Sequence, residues 1–99
     1  MKVMISQPMN GLAREEIEAN RANVVKLLES KGHEVVNTIF TDAPPETNNR
    51  ALWFLGKSFQ AISEVDAVYF MDGWEHARGC EMERDACRQY GVKVLNDEL

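Results

Sequence analysis

The sequence predicts an α/β fold, a flavodoxin-like three-layer sandwich around a parallel four-stranded sheet of order 2-1-3-4. Four short apolar runs alternate with three helical patterns, which is typical of a parallel sheet whose strands are joined by crossover helices. Right-handed crossovers and the usual reversal of strand order place the first and third strands in the middle. A chain of 99 residues is expected to form a single domain over residues 1–99.

The four predicted strands are the apolar runs Lys2–Ser6, Glu34–Thr38, Asp66–Asp72 and Val92–Asn96. Ligands of such sheets bind beyond the carboxyl ends of the strands, at the point where the strand order reverses. Two segments are expected to meet there, namely Gln7–Gly11 after the first strand and Gly73–Gly79 after the third.

The first predicted helix runs from about Leu12 to Lys31 and stops at Gly32, and its inner face is Ile17, Val24, Val25, Leu27 and Leu28. The second helix begins after Asn48 and Asn49, which are plausible caps. Its apolar positions recur at spacings of three and four, at Leu52, Leu55, Phe59 and Ile62. The irregular stretch before it, Phe40–Arg50, is either a lid over a site or a connector.

The third predicted helix, Gly79–Tyr90, carries a carboxylate in the middle of its apolar stripe. At about 100° per residue, the stripe is Cys80, Met82, Glu83, Ala86, Cys87 and Tyr90, and the opposite face is Glu81, Arg84, Asp85, Arg88 and Gln89. A carboxylate that faces a core is costly unless it is paired, hydrogen-bonded or protonated. Glu83 is therefore the leading candidate for a functional group, and the alternatives are a capping-box residue or an ion pair with Arg78.

The predicted position of Glu83 in the first turn has two opposing effects on its pKa. The positive end of the helix dipole holds the carboxylate ionised, which suits a nucleophile. Burial raises the pKa instead.

Several residues near the predicted crevice are candidates for binding. In the turn Gln7, Pro8, Met9, Asn10 and Gly11, backbone N–H groups are suited to hold a sugar hydroxyl or a phosphate, although the turn also simply ends a strand. Arg78 is the best cation for a 5′-phosphate, or else a surface residue. Trp53, Phe54 and Trp74 are candidates to stack on a base. Trp53 and Phe54 more often form core or subunit contacts, so Trp74, in the loop at the crevice, is preferred.

Other chemistries find less support. The turn after the first strand has no dinucleotide or triphosphate motif, and no cofactor is expected. His76 and Cys80 allow a Cys/His nucleophile, but no third member or oxyanion donor is evident. Glu75, His76 and Cys80 match no strong zinc pattern, so no metal is expected.

Charge and cysteine usage restrict the partners and the compartment. The net charge of −5 argues against extended nucleic acid, which usually needs a basic face. Cys80 and Cys87 lie roughly 10 Å apart along one helix, too far for a disulfide. The apolar run Val3–Ile5 is far too short for a membrane span. We therefore expect a cytoplasmic protein without a membrane partner.

Three segments together resemble the nucleoside 2-deoxyribosyltransferase superfamily, and most closely its short branch common in phages and bacteria. They are the opening Val3–Gly11, the second strand Gly32–Asn37, and Asp66–Phe70 followed by the Gly79-x-x-x-Glu83 spacing. The similarity covers nearly the whole chain. It implies a nucleoside or nucleotide as the small-molecule partner, and relatives often complete their sites across dimer interfaces.

By this resemblance Glu83 is the nucleophile that attacks the anomeric carbon and releases the base. The chain departs from the pattern at two helpers, because Ser58 stands at the usual aspartate and Ala77 at the usual phosphate-site serine. The first strand also lacks the aromatic hydroxyl of several relatives. A substitute acid comes from a neighbouring subunit or from one of Asp42, Glu46, Asp72 and Glu75.

The resemblance leads to a first hypothesis for the function, cleavage or transfer of an N-glycosidic bond by a homo-oligomer. A second hypothesis is a non-catalytic module that senses or sequesters a nucleotide-derived molecule, with Glu83 accepting a ribose hydroxyl. A third is a structural partner protein whose interface includes Trp53 and Phe54.

Overall fold

In the computed structural model, which describes residues 1–9, 11–37 and 44–98, four strands form one parallel sheet. They are β1 (Lys2–Ser6), β2 (Glu34–Val35), β3 (Ala67–Phe70) and β4 (Lys93–Val94). Their order is β2-β1-β3-β4. Three helices connect them, α1 (Arg14–Ser30), α2 (Arg50–Ile62) and α3 (Arg78–Tyr90). The predicted α/β fold and the strand order 2-1-3-4 are confirmed.

Alternating side chains of β1 supply both faces of the sheet, because successive residues of a strand point to opposite sides. Val3 and Ile5 pack with Leu28 of α1 on one face. Met4 packs on the other face with Ile62 of α2 and with α3 side chains. The helices thus form the outer layers of a three-layer arrangement that is consistent with a flavodoxin-like sandwich.

The outer strands are shorter than predicted. β2 ends at Val35, and Thr38 of the predicted strand lies outside the described residues. β4 ends at Val94 because the chain turns into a 3₁₀ helix over Leu95–Glu98. Within that turn, the Asn96 side chain donates to the Phe70 carbonyl and accepts from the Phe70 N–H, both at 2.8 Å. The amide thereby satisfies backbone groups that a longer β4 would have paired.

Helix α1 begins at Arg14, after an extended Ala13, and its chain turns at Gly32, whose φ is 86°. Its predicted inner face was wrong at Leu27, which is 41% exposed. Arg21 is buried instead, and its Nη2 donates to the Val36 carbonyl at 3.3 Å beyond β2. Burial lowers the pKa of the Arg21 guanidinium. The long Arg21 side chain thus packs between α1 and β2, and its polar end reaches a backbone carbonyl.

Helix α2 begins as predicted, because the Asn49 side chain accepts a hydrogen bond from the Leu52 N–H at 2.9 Å. Of the apolar positions that recur at spacings of three and four along α2, Ile62 is buried, whereas Leu52 and Phe59 are exposed.

Helix α3 starts at Arg78, one residue earlier than predicted. At 3.6 residues per turn, Glu83 lies in the second turn and not the first, whether the helix is counted from Arg78 or from the predicted Gly79. The predicted stripe is buried at Cys80, Glu83 and Cys87. It is wrong at its edges, where Met82 and Tyr90 are exposed. None of the helices in the described part of the chain is long and apolar enough to cross a membrane.

Candidate functional site

A cavity of about 530 Å³ opens beyond the end of β1, between α2 and the start of α3. This volume falls within the range of small-molecule sites. The polar part of its wall consists of Ser6, Gln7, Asn49, Ser58, Arg78 and Glu83, and its apolar part includes Met4, Pro8, Phe54, Leu55 and Met82. A Cβ built on Gly73 would lie 3.7 Å from Pro8 Cγ. The segments that follow β1 and β3 therefore approach each other at this edge.

Glu83 is buried on the cavity wall and is held by a hydroxyl of the neighbouring strand. Ser6 Oγ, at the last position of β1, donates to Glu83 Oε2 at 2.5 Å. Ser6 shares the sheet face of Met4, the face on which α3 packs. The partner that the buried carboxylate required is thus Ser6. An ion pair between Glu83 and Arg78 does not occur within the described residues.

Burial raises the pKa of the Glu83 carboxyl, while hydrogen bonds from Ser6 and Ser58 lower it, and the net direction is upward from 4.5. Because Glu83 lies in the second turn of α3, the helix dipole does not act on it at close range. The two hydroxyls replace the predicted dipole as the groups that favour the ionised form.

Replacing the carboxylate by its neutral isostere is expected to stabilise the protein. Glu83 binds a proton more tightly in the folded state than in the unfolded chain. As the pH rises above the unfolded pKa of 4.5, Glu83 ionises, and the free energy of unfolding therefore decreases. Glu83→Gln should gain on the order of 1 kcal/mol at pH 7. In a 99-residue chain, this raises the melting temperature by roughly 4–8 °C.

The sign of this effect depends on pH. Well below the unfolded pKa of 4.5, the wild-type carboxyl is protonated in both states, so the difference in melting temperature between wild type and Glu83→Gln should disappear. Glu81→Gln is the matched control because Glu81 is exposed on the same helix. A Glu83→Gln variant that melts below wild type at pH 7 would contradict the burial cost.

Both cysteines are free and buried. Burial raises the pKa of the Cys80 thiol on the cavity wall. Burial raises the pKa of Cys87 to about 11. Both thiols are therefore protonated at neutral pH, and His76 is exposed in the 3₁₀ turn Trp74–His76. The arrangement does not support a Cys/His nucleophile, which needs a thiolate.

The cavity wall brings together most of the predicted site residues, namely Gln7, Pro8, Met9, Ser58, Arg78, Gly79 and Glu83. Gly11, Asp72 and Trp74 do not line it. Trp74 is held away because its ring packs on Phe70 and under the Arg84 guanidinium, 4.9 Å from the ring centroid. Asp72 and Gly11 are exposed. Asn10 and Asp42, which were also candidates, lie outside the described residues.

Sequence reasoning missed Ser6 and Asn49 as parts of the wall. Ser6 was detectable, since it is the polar member of a buried β1 face and Glu83 is the polar member of the opposing helix face. Phe54, and not Trp74, supplies the aromatic surface of the cavity. Asn49 was recognised only as a cap.

Glu83 is the only carboxylate on the wall within residues 1–9, 11–37 and 44–98. Glu46 and Glu75, proposed above as substitute acids, are exposed and lie away from the wall. The same described residues contain no group of three or more side chains placed to hold a metal ion. The wall therefore pairs one buried carboxylate with two hydroxyls and one cation, Arg78.

Comparison with known proteins identifies a family and no individual relative. The protein-family model described as Domain of unknown function (DUF4406) matches residues 1–96. No curated protein and no solved structure matches the chain.

Proposed function

We propose that this chain, which belongs to the family described as Domain of unknown function (DUF4406), cleaves or transfers the N-glycosidic bond of a nucleoside or nucleoside 5′-monophosphate. The observation that carries the proposal is the buried Glu83 carboxylate on the cavity wall, fixed by the Ser6 hydroxyl at 2.5 Å. A group that costs stability and faces a cavity is typical of a functional residue. The Gly79-x-x-x-Glu83 resemblance supports the same assignment.

The proposed reaction has two displacement steps at the anomeric carbon. A Glu83 oxygen forms a bond to C1′ while the C1′–N bond breaks, and the base departs with the electron pair and takes up a proton. Water or a second base then attacks C1′ and releases the Glu83 carboxylate. With water, the products are the free base and the sugar or sugar phosphate.

The departing base requires a proton from outside the described wall, because Glu83 is the only carboxylate there. The proposal assigns that proton to water or to an acid of a neighbouring subunit. Ser6 and Ser58 act on the nucleophile, since their hydrogen bonds favour its ionised form. They are positioning residues in this scheme.

A 5′-phosphate fits the start of α3. Ala77, the residue before the helix, offers no side-chain cap, and the first N–H groups of a helix have no intrahelical acceptor. Arg78, the first residue of α3, also lines the wall. Backbone N–H groups, the helix dipole and a guanidinium together favour a phosphate. The serine that relatives place at Ala77 is thereby replaced in part by Arg78.

A second candidate function is a nucleotide-binding module without catalysis. The observation in its favour is the single carboxylate on the described wall, since glycosidic cleavage usually employs two. In that case Glu83 accepts a ribose hydroxyl.

The test is base release, followed by chromatography, from ribo- and 2′-deoxyribonucleosides and their 5′-monophosphates. Release of a free base supports the enzyme. Binding without release, seen as a rise in melting temperature with saturating ligand, supports the module. Neither release nor binding across the panel would overturn both.

We also propose that the protein is a homo-oligomer whose second copy covers the exposed apolar strip, the residues Leu52, Phe59, Met82 and Tyr90 of α2 and α3. The strip borders a groove of about 350 Å³ and adjoins the cavity, since Met82 lines both. Large exposed apolar patches usually mark interaction surfaces. A chain of this size also gains stability from additional burial.

Phe59→Glu is expected to shift the protein toward the monomer in sedimentation velocity, because it places a charge in the covered strip. Leu27→Glu on α1 is the control, since Leu27 is similarly exposed but lies on the opposite face of the sheet. A wild-type protein that sediments as a monomer would contradict the proposed interface.

A cytosolic location is part of the proposal. It rests on the two unpaired buried thiols, Cys80 and Cys87, which suit a reducing compartment.

A further inference from the structure

One face of helix α2 forms a continuous side of the cavity. The residues Ala51, Phe54, Leu55 and Ser58 all line it, and offsets of three, four and seven positions place them on the same helix face. At 1.5 Å per residue, this row, the α2 stripe, is roughly 10 Å long. Ala51 at one end is exposed, whereas Ser58 at the other end hydrogen-bonds to the buried Glu83 carboxylate. The stripe therefore extends from solvent to the candidate nucleophile.

The α2 stripe is polar only at the end that contacts Glu83. The other three members, Ala51, Phe54 and Leu55, are apolar, and Phe54 and Leu55 are half-buried. Beyond the first turn of a helix, the backbone N–H groups are bonded to carbonyls of the same helix. Around Phe54 and Leu55, α2 therefore presents apolar side chains to the cavity and no backbone donor.

The proposed reaction indicates which part of the substrate meets this surface. Glu83 attacks C1′, and the 5′-phosphate is assigned to the start of α3, where Arg78 lines the wall. The base is bonded to C1′ on the side opposite the attacking carboxylate. The length of cavity that remains for the base is bordered by the first turns of α2 and by the segment after β1. The edge of the base that is remote from the sugar thus lies beside Phe54 and Leu55.

Such a surface favours an apolar group over a polar one. Donors and acceptors on the edge of a base lose water there without gaining a partner from the stripe, which is unfavourable. An alkyl group on the same edge is removed from water together with the protein surface that it covers, which is favourable. Phe54 and Leu55 are only half-buried, so they still expose apolar surface for a ligand to cover.

We propose that the α2 stripe is a subsite for an apolar substituent on the base, so that the preferred substrates are nucleosides or nucleotides whose base carries a small alkyl group on the edge remote from the glycosidic bond. The inference rests on the proposed function of the cavity. Phe54 and Leu55 act as specificity-determining residues and take no part in bond cleavage. The reaction at C1′ is unchanged, and the released product is the substituted base.

The experiment measures kcat/KM for two derivatives of adenosine 5′-monophosphate, N6-propyl and N6-(2-hydroxyethyl), which differ only in a methyl or a hydroxyl at the end of the chain. We expect the wild type to prefer the propyl derivative by at least about tenfold, both over the hydroxyethyl derivative and over the unmodified nucleotide. Leu55→Asn, an amide of similar size, should bring the propyl-to-hydroxyethyl ratio toward one. Leu27→Asn is the matched control, since Leu27 is 41% exposed on α1, and it should leave the ratio unchanged. The ratio is insensitive to partial misfolding, because the folded fraction affects both substrates equally.

The outcomes separate this inference from the proposed function. Base release without a propyl preference in wild type, or a preference that survives in Leu55→Asn, overturns the α2 subsite and leaves the nucleophile in place. If no substrate is cleaved, the same ratio is read from dissociation constants, measured by ligand-induced shifts in melting temperature. An absence of both release and binding overturns the proposed function and the inference with it.

Discussion

Glu83→Gln is expected to lower base release by on the order of 10³-fold or more, while the protein stays folded. The amide is nearly the same size as the carboxylate but cannot form the covalent bond to C1′. Because the substitution removes a buried charge, its melting temperature at pH 7 should not fall, so loss of activity cannot be attributed to unfolding. Chromatography of the free base measures the loss.

Glu81→Gln provides the matched control. It is the same chemical change on the same helix, two residues away and exposed to solvent. Its base release should stay within about twofold of wild type, because surface substitutions away from a site have small effects. Equal release by Glu83→Gln and wild type would exclude Glu83 as the nucleophile, and retained binding in both variants would then favour the module.

Phe70→Ala is expected to have the largest effect on stability, a loss of about 3–5 kcal/mol. Phe70 ends β3 and is 1% exposed. Its ring contacts Trp74, and the Arg84 guanidinium lies 5.3 Å from its centroid. Truncation leaves a void that this packed group cannot fill. Such a loss is a large part of the total stability of a small domain.

Chemical denaturation measures the loss as a lower midpoint with an unchanged slope. Leu27→Ala is the apolar control, since Leu27 is 41% exposed on α1 and lies outside the proposed interface, and it should change stability by about 1 kcal/mol or less. The geometry of the candidate site should also change, because Phe70 on β3 pairs in register with Ser6 on β1. A Phe70→Ala variant with wild-type stability would contradict the packing described here.

The strand order could be predicted from the sequence, because a chain of alternating strands and helices adopts only a few sheet topologies. Glu83 was identifiable because a single charge in an apolar stripe requires a partner. The identity of that partner was not available from local patterns, since Ser6 lies on a different element and reaches Glu83 only after β1 and α3 pack on each other.

The remaining errors have the same origin in tertiary packing. Trp74 was assigned to the crevice as a loop aromatic, but Phe70 and Arg84 provide better packing for its ring. Met82 and Tyr90 match the helical period and yet are exposed, because a sheet this narrow has no surface to cover them. Periodicity predicts which side of a helix faces inward, but the width of the buried side depends on what it packs against.

The hydrogen bond between Ser6 and Glu83 also has a consequence for folding. It joins residues 77 positions apart in the chain, so it forms only when nearly the whole sequence has reached its native topology. Contacts of such long range form late and slow the folding of a domain. A partly folded chain can have helices and a compact core yet lack an oriented carboxylate. In a refolding experiment, recovery of the site therefore reports completion of the fold and not its onset.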